Sequence, residues 1–317
     1  MDFELPEELR MLKKTVADFV DRELIPIERD SMDGPVMKSD VRAALERKAK
    51  DIGLWLLDVP REYGGQGLNL LGLAVVWEEM SRTIAMPPRG PFVFGPDVRP
   101  ILFTLTDKQK EKYLFPVLRG EKTTAFAQSE PDAGGDPGSM RTIATRQGDK
   151  YIINGYKRWI TNAGTASFFQ LVAATDRTKG SRGGLSMFLV DADTPGLKIV
   201  GRTETMMGDA PYEIALDNVE VPVENLIGKE GDGMRAAQSW ITAGRLYQAC
   251  RGLGVAKRCL DMAAQYAKQR VTFGQPLAER QAVQFMIGDS YMEHHMTQLL
   301  VYQLAARTDA GDRKSTV

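Results

Sequence analysis

The feature that most constrains this 317-residue chain is a double change in its hydrophobic period. Apolar residues recur at helical spacing up to about Arg119, short β-rich runs alternate with turn residues from Thr123, and long helical patterns return after Gly233. Segments of such different period are expected to pack into separate layers or domains, which predicts an α+β fold. We predict an N-terminal α-helical domain, a middle β-barrel or sandwich domain and a C-terminal helical bundle, over residues 1–122, 123–232 and 233–317.

Local signals predict where individual elements begin and turn. Ser39 and Asp40 stand before a helical pattern as candidate N-caps, and Thr106 precedes another in the same way. The run "RQGDKYIING" reads as a β-hairpin that turns near Gly148 and Asp149. These signals are independent of the overall plan and can be checked one by one.

Charge and cysteine usage exclude several classes of protein. The net charge of -1 gives no electrostatic reason to expect nucleic acid or an anionic membrane as partner, and no apolar run approaches the length of a membrane span. The acidic N-terminus "MDFELPEELRMLKK" does not resemble a targeting peptide. Cys250 and Cys259 fall within one predicted helix, where a disulfide between them does not fit. We therefore predict a cytoplasmic location and reduced cysteines.

Two motifs that suggest ligand sites fail on their context. "GDGMRA" matches a loose dinucleotide-binding glycine pattern, but no clear buried strand precedes it and no acidic residue follows at about twenty positions. It is interpreted as a flexible entry into a helix. His294 and His295 are neighbours in a predicted helix and point in different directions, so they do not suit one metal ion. No metal site is predicted.

The stretch from Phe126 to Phe169, "FAQSEPDAGGDPGSMRTIATRQGDKYIINGYKRWITNAGTASFF", collects features that suit a heteroaromatic ligand. Short polar side chains could reach the edge of a ring, Trp159 offers a flat face, and the glycines of "AGGD" let the backbone approach a phosphate. The alternative is a turn before a hairpin with Trp159 in the core. The residues alone leave both interpretations open.

A second candidate segment is "KQRVTFGQPLAERQA", which joins two predicted helices. Arg270 stands at the end of the first helix, and a Gly-Gln-Pro break precedes the start of the second. A guanidinium beside a helix N-terminus can bind a diphosphate. The alternative is a solvated loop between helices.

Four motifs occur in the order found in one family. "LDVPREYGGQGLNLL", "FAQSEPDAGGD", "YIINGYKRWITNA" and "QRVTFGQPL" resemble signatures of the acyl-CoA dehydrogenase family, and the resemblance covers essentially the whole chain. It implies the acyl-CoA dehydrogenase fold with FAD held between the β-domain and the C-terminal helices, in a homotetramer or homodimer. It also implies an acyl-CoA substrate and an electron-transfer flavoprotein as acceptor.

The resemblance assigns roles to particular positions. Ser129 would bond the pyrimidine edge of the flavin, and Thr161 with the Trp159 segment would lie near N5. The residues implied for the flavin ring and its phosphates are Phe126, Gln128, Ser129, Gly134, Gly135, Trp159, Ile160 and Thr161. Those implied for the adenine-diphosphate half of an FAD in a neighbouring subunit are Arg270, Thr272, Phe273, Arg280 and Gln281. Those implied for the substrate are Gly135, Thr242 and Arg245.

The implied reaction is α,β-dehydrogenation, in which a carboxylate base takes the α-proton while a hydride leaves Cβ for flavin N5. The chain departs from the family at the base. One branch carries a glutamate where this chain has Gly244, and the larger branch places it near the C-terminus, so the base is expected beyond Val317. We predict a truncated C-terminal bundle; the alternative is a natural short form without dehydrogenase activity.

Two further departures concern the ligands. Thr242 stands where the family usually has aspartate, and Gly135 where it usually has serine, so the acyl-chain preference is not carried over. Two other functions on the same scaffold stay open: a flavin-dependent oxidase or monooxygenase, and a non-catalytic flavin-binding relative.

Overall fold

The computed structural model describes residues 4–34, 36–85, 93–206 and 210–312. Its α-helices are α1 Glu7–Phe19, α2 Ser39–Asp51, α3 Leu70–Met80, α4 Asp107–Gln109, α5 Phe115–Leu118, α6 Gly233–Gln269 and α7 Gln281–Asp309. Its strands are β1 Met32–Asp33, β2 Val36–Met37, β3 Thr124–Ala127, β4 Ile143–Gln147, β5 Lys150–Ile160, β6 Phe168–Ala174, β7 Leu185–Asp191, β8 Leu197–Arg202, β9 Tyr212–Pro222, β10 Val271–Thr272 and β11 Gln275–Pro276.

The described residues fall into two compact units. Of the described residues, unit 1 comprises 4–34, 36–85, 93–95 and 242–312, and unit 2 comprises 96–206 and 210–241. Helical segments from both ends of the chain thus share unit 1. The helical stretch 96–122 belongs to unit 2 with the strands, although its period groups it with the N-terminal helices. The division into three sequence domains stays a prediction.

Unit 1 is built on the apolar faces of its helices. Val16 and Phe19 near the end of α1, and Val20 directly after it, are buried in one core cluster with Leu45 of α2 and Val76 of α3. This is the helical stripe that the spacing predicts, and its burial supplies the main stabilisation of such a bundle.

A polar network also ties the helices of unit 1 together. The carboxylate of Glu78, which is 2 % exposed, accepts from Tyr302 Oη at 2.6 Å and from Lys13 Nζ at 3.2 Å. Asp309 near the end of α7 accepts from the N–H groups of Leu70 and Leu71 at 2.9 and 3.0 Å. A carboxylate at the N-terminus of α3 satisfies otherwise unpaired N–H groups and complements the helix dipole.

Two glycines of α6 provide a matched stability test. A Cβ on Gly254 would lie 2.1 Å from the carbonyl oxygen of Glu78, whereas a Cβ on Gly252 would meet nothing within 4 Å. We expect Gly254→Ala to lower the free energy of unfolding by about 1–3 kcal/mol, because α3 and α6 must move apart. Gly252→Ala should raise it by up to about 1 kcal/mol through helix propensity. Denaturant unfolding of both variants checks this; equal effects would contradict it.

Unit 2 contains a seven-stranded sheet in the order β3-β6-β4-β5-β9-β8, with β7 paired to β6. Strand β6 is buried along its whole length. The hairpin of β4 and β5 pairs Gln147 with Lys150, so it turns at Gly148 and Asp149 as predicted. Helices together with this sheet confirm the predicted α+β class.

The cap predictions have different outcomes. Thr106 and Gln109 form the reciprocal bonds of a capping box at α4, as predicted. Ser39 and Asp40 do not cap α2, so that prediction was wrong. The helix begins at Ser39, and its cap residue Lys38 makes no side-chain bond. Asp40 instead lies in the first turn, where a carboxylate is favoured by the helix dipole.

Both cysteines lie in α6 and are free, Cys250 buried and Cys259 exposed. Burial raises the pKa of the Cys250 thiol to about 12. Within the described ranges no helix is long and apolar enough to cross a membrane.

Candidate functional site

The loop that follows β3 carries the first candidate residues. Phe126 and Gln128 are half-buried, and the side-chain oxygen of Gln128, Oε1, is buried without a hydrogen-bond partner among the described residues. A buried, unpaired carbonyl oxygen is costly, so such an atom indicates a place for a donor that the chain itself does not supply. The carbonyl of Gln128 accepts from Lys157 Nζ at 3.0 Å, and that of Ser129 from the N–H of Arg158 at 2.9 Å.

A buried ion pair lies beneath this loop. Lys157 Nζ is 2.8 Å from Glu130 Oε1, and the two side chains are 0 % and 3 % exposed. Glu130 also accepts from the N–H groups of Arg141 and Thr142 at 2.6 and 3.0 Å. The Glu130 carboxylate thereby connects the loop, the chain segment entering β4 and strand β5.

The environment sets the ionisation of this pair. Burial alone would raise the pKa of Glu130, but the Lys157 charge and the hydrogen bonds outweigh it and lower that pKa. Burial lowers the pKa of Lys157 to about 8, although Glu130 opposes the shift. Both groups are therefore charged at neutral pH, which is the arrangement that a buried pair requires.

A β-bulge turns Trp159 out of the sheet. Lys157 pairs with Ile214 and Ile160 with Tyr212, so β5 holds one extra residue between these pairs. Without it Trp159 would share the buried side of Lys157, because side chains alternate along a strand. Trp159 instead has a φ of 63° and is 47 % exposed, which excludes the alternative that it fills the core. Positive φ in a non-glycine residue is a strained conformation of the kind found at functional sites.

Residues beside Trp159 fix its surroundings. The guanidinium carbon of Arg158 lies 4.4 Å from the Trp159 ring centre, and Arg158 Nε is 2.9 Å from Glu213 Oε1. One ring face is thus covered by a paired cation. The side chain of Ile160 is in the sheet core at 2 % exposure, so only its backbone is available to a ligand, while Thr161 is half-buried.

The glycine pair of the loop is open to a ligand. Gly134 and Gly135 are exposed, and a Cβ added to either would meet nothing within 4 Å. Neither has a positive φ. The folded chain itself therefore does not require glycine there, whereas a bound phosphate group would fill the space that a side chain needs. The open glycines, the unpaired Gln128 oxygen and the projecting indole fit a flavin.

An aromatic stack within unit 2 includes Phe126, which lies in β3 just before this loop. The rings of Phe126 and Trp240 lie 4.6 Å apart, and the guanidinium carbon of Arg99 lies 4.8 Å from the Trp240 ring centre. Arg99 in turn pairs with Asp97 at 2.6 Å. The stack holds Phe126 in place at the edge of the loop.

The second candidate segment, in unit 1, is a tight hairpin of β10 and β11 between α6 and α7. Arg280 donates to the carbonyl and hydroxyl oxygens of Thr272 at 2.6 and 3.0 Å. Phe273 has a φ of 50° and is 99 % exposed, and Arg270 and Gln281 are exposed as well. The hairpin thus presents a cation and an aromatic ring on a braced backbone.

The remaining candidates lie on α6 and α7. Thr242 and Gly244 are half-buried and Arg245 is exposed, and a Cβ on Gly244 would meet nothing within 4 Å. His294 Nε2 contacts the Leu253 carbonyl at 3.2 Å, in keeping with a packing role. No group of His, Cys, Asp or Glu in the described part of the chain is arranged to hold a metal ion.

Sequence reasoning missed the supporting residues of the site. Glu130 and Lys157 are separated by a hairpin, and Arg99 and Trp240 by most of unit 2, so no short-range pattern connects them. One signal was available: Lys157 lies in an otherwise half-apolar strand, where a lysine needs either solvent or a buried partner.

Comparisons with known proteins identify the family to which the chain belongs. Sequence profiles of the acyl-CoA dehydrogenase N-terminal, middle and C-terminal domains match residues 6–121, 125–219 and 231–317. The chain is 35% identical to the 3-(aryl)acrylate reductase of Clostridium sporogenes, over 97% of this chain and 81% of that protein. It is also 35% identical to the mitochondrial short-chain specific acyl-CoA dehydrogenase of Mus musculus, over 96% of this chain and 74% of that protein.

A solved structure shows the same fold. The butyryl-CoA dehydrogenase of Megasphaera elsdenii superposes with a TM-score of 0.82 at 30% identity, covering 99% of this chain and 83% of that one. The overall fold is thus shared with a dehydrogenase of known structure. The chain belongs to the acyl-CoA dehydrogenase family and is a flavin-dependent oxidoreductase.

Proposed function

We propose that the protein binds FAD, with the isoalloxazine ring against Trp159 and its pyrimidine edge at Gln128 and Ser129. The observation that carries this proposal is the bulged, half-exposed Trp159 together with the buried, unpaired Gln128 oxygen. A flavin ring offers the aromatic face that stacks on an indole and an N–H that can donate to Gln128 Oε1.

The Arg270 hairpin takes the other end of the cofactor in this proposal. Its exposed guanidinium suits a diphosphate, and the fully exposed Phe273 ring suits an adenine. Following the family resemblance, this hairpin serves the FAD of a neighbouring subunit, which makes the protein a homotetramer or homodimer. Arg280 contributes by bracing Thr272.

The proposed reaction is α,β-dehydrogenation of an acyl-CoA thioester to the 2-enoyl-CoA. Bound FAD supplies an acceptor for the β-hydride. Trp159 and the loop after β3 are proposed to orient the flavin ring. Following the family resemblance, the α6 segment with Thr242 and Arg245 is proposed to bind the CoA ester. The α-proton goes to a carboxylate base. An electron-transfer flavoprotein is the proposed electron acceptor.

The test is an anaerobic titration of FAD-loaded protein with a panel of acyl-CoAs, followed to equilibrium on the oxidised flavin band. Gly244→Glu, which places a carboxylate at the alternative base position, is the second sample. Bleaching of either sample by one acyl class supports the dehydrogenase function. A bound flavin that no thioester bleaches in either sample contradicts it. Rapid reoxidation in air of the reduced protein would indicate the oxidase alternative instead.

A further inference from the structure

The Lys157–Glu130 pair meets the loop at the residues assigned to the flavin edge. Lys157 Nζ donates to Gln128 O at 3.0 Å and to Glu130 Oε1 at 2.8 Å, and contacts Met140 Sδ at 3.4 Å. The ammonium is 0 % exposed, so these contacts replace all of its hydration. A buried charge is costly unless it is paired and hydrogen-bonded, so this ammonium requires both oxygen partners to stay where they are.

The geometry of the loop shows which backbone groups the Lys157 ammonium orients. A trans peptide group is planar, with the carbonyl of one residue and the N–H of the next on opposite sides. When Lys157 draws the Gln128 carbonyl toward β5, the N–H of Ser129 must point the other way. The bond from Arg158 N–H to Ser129 O fixes the following peptide as well. The orientation of the Ser129 N–H, which lies at the position assigned to the flavin edge, thus depends on the Lys157 ammonium.

The same pair is joined to Trp159. Lys157 stands two residues before the indole, at the start of the bulge that turns Trp159 outward. Glu130 accepts from the N–H groups of Arg141 and Thr142, and its ion pair with Lys157 holds the ammonium in place. The loop and the bulge are therefore set by one buried contact, which lies below the surface assigned to the ring.

We infer that Lys157 and Glu130 are positioning residues for the flavin, which hold the Gln128–Ser129 peptide and the Trp159 bulge in the geometry that binds the isoalloxazine ring. This inference rests on the proposed function. Neither side chain touches the ring; both act through the backbone of the loop and of β5. Their removal is expected to change flavin affinity and the spectrum of the bound flavin separately from stability.

The experiment compares Lys157→Met, the double variant Lys157→Met/Glu130→Gln and the control Lys150→Met. Lys150 lies on the same strand and pairs with Glu220 at 2.7 Å, but this pair is exposed. The single variant leaves a buried, uncompensated carboxylate and should lower the thermal midpoint, while the double variant should recover much of it. FAD affinity is measured by fluorescence titration of the full-length apoprotein, and the visible spectrum of the bound flavin is recorded.

Both Lys157 variants should bind FAD about tenfold or more weakly, with a shifted visible band, because the loss of a charge-assisted bond frees the loop. Lys150→Met should bind FAD unchanged. A double variant with unmodified affinity and spectrum would overturn the inference and reduce the pair to a stabilising contact. Failure of the unmodified protein to take up FAD is a different result, which contradicts the proposed function itself.

Discussion

Gly244→Glu should raise the rate of flavin reduction by acyl-CoA by about 10²–10⁴-fold, the usual contribution of a positioned general base. The family resemblance puts this position beside the thioester, and the structure leaves room, since a Cβ on Gly244 meets nothing within 4 Å. Stopped-flow mixing of FAD-loaded protein with acyl-CoA under anaerobic conditions measures the rate. The expected gain is large because the described residues offer no carboxylate that the resemblance assigns to this role.

The matched control for this variant is Gly252→Glu. Gly252 lies on the same helix with the same open space, so both variants gain equally in helix propensity and charge. Equal rates in the two variants would show that the added carboxylate does not act as a base. An unmodified chain that already reacts at the Gly244→Glu rate would show that a base is present elsewhere, and the prediction would be wrong.

Arg270→Met should weaken FAD binding by about tenfold to a hundredfold, because a hydrogen bond to a charged group contributes about 1.5–3 kcal/mol. Arg270 is exposed and stands beside a hairpin that Arg280 braces, so its removal should leave the fold intact. The affinity of the unmodified protein should also fall with added salt, as expected for an exposed ionic contact. Fluorescence titration with FAD at two ionic strengths measures both effects.

Arg47→Met on α2 serves as the control, since it removes an exposed arginine at a site that no ligand proposal uses. FAD affinity should not change in this variant. If Arg270→Met and Arg47→Met bind FAD equally well, the hairpin does not contact the diphosphate. The family-based assignment of this segment to a neighbouring subunit's cofactor would then fail.

Local patterns predicted local structure well. The hairpin at Gly148 and Asp149 and the cap at Thr106 depend on neighbouring residues only, and both were confirmed. The cap prediction at Ser39 was wrong because cap and first-turn positions favour the same residue types and differ by a single step along the chain. Helical period indicates the type of element but not the elements it packs against. It therefore could not predict that residues 96–122 group with the strands.

The positions of Lys157 and Trp159 in the site also could not be predicted from local sequence patterns. Strand alternation places Lys157 and Trp159 on one face, and only the bulge between them separates a buried ammonium from a projecting indole. A bulge is decided by pairing with β9, which no single strand reveals. Sequence therefore left the two interpretations of Trp159 open. The contact of Lys157 with Glu130 is likewise a product of tertiary structure.

The central claim is that the surface around Trp159 binds FAD. The most direct measurement is a titration of apoprotein with FAD, comparing the unmodified chain, Trp159→Ala and Trp55→Ala, another tryptophan exchange that lies outside the proposed site. We predict saturable binding by the unmodified chain and by Trp55→Ala, and binding about tenfold or more weaker for Trp159→Ala. Stacking on an indole contributes about 0.5–1.5 kcal/mol beyond the burial of its apolar area, and about 1.4 kcal/mol corresponds to a tenfold change in affinity. Equal affinity in all three proteins, or no uptake of FAD by any of them, would contradict the account.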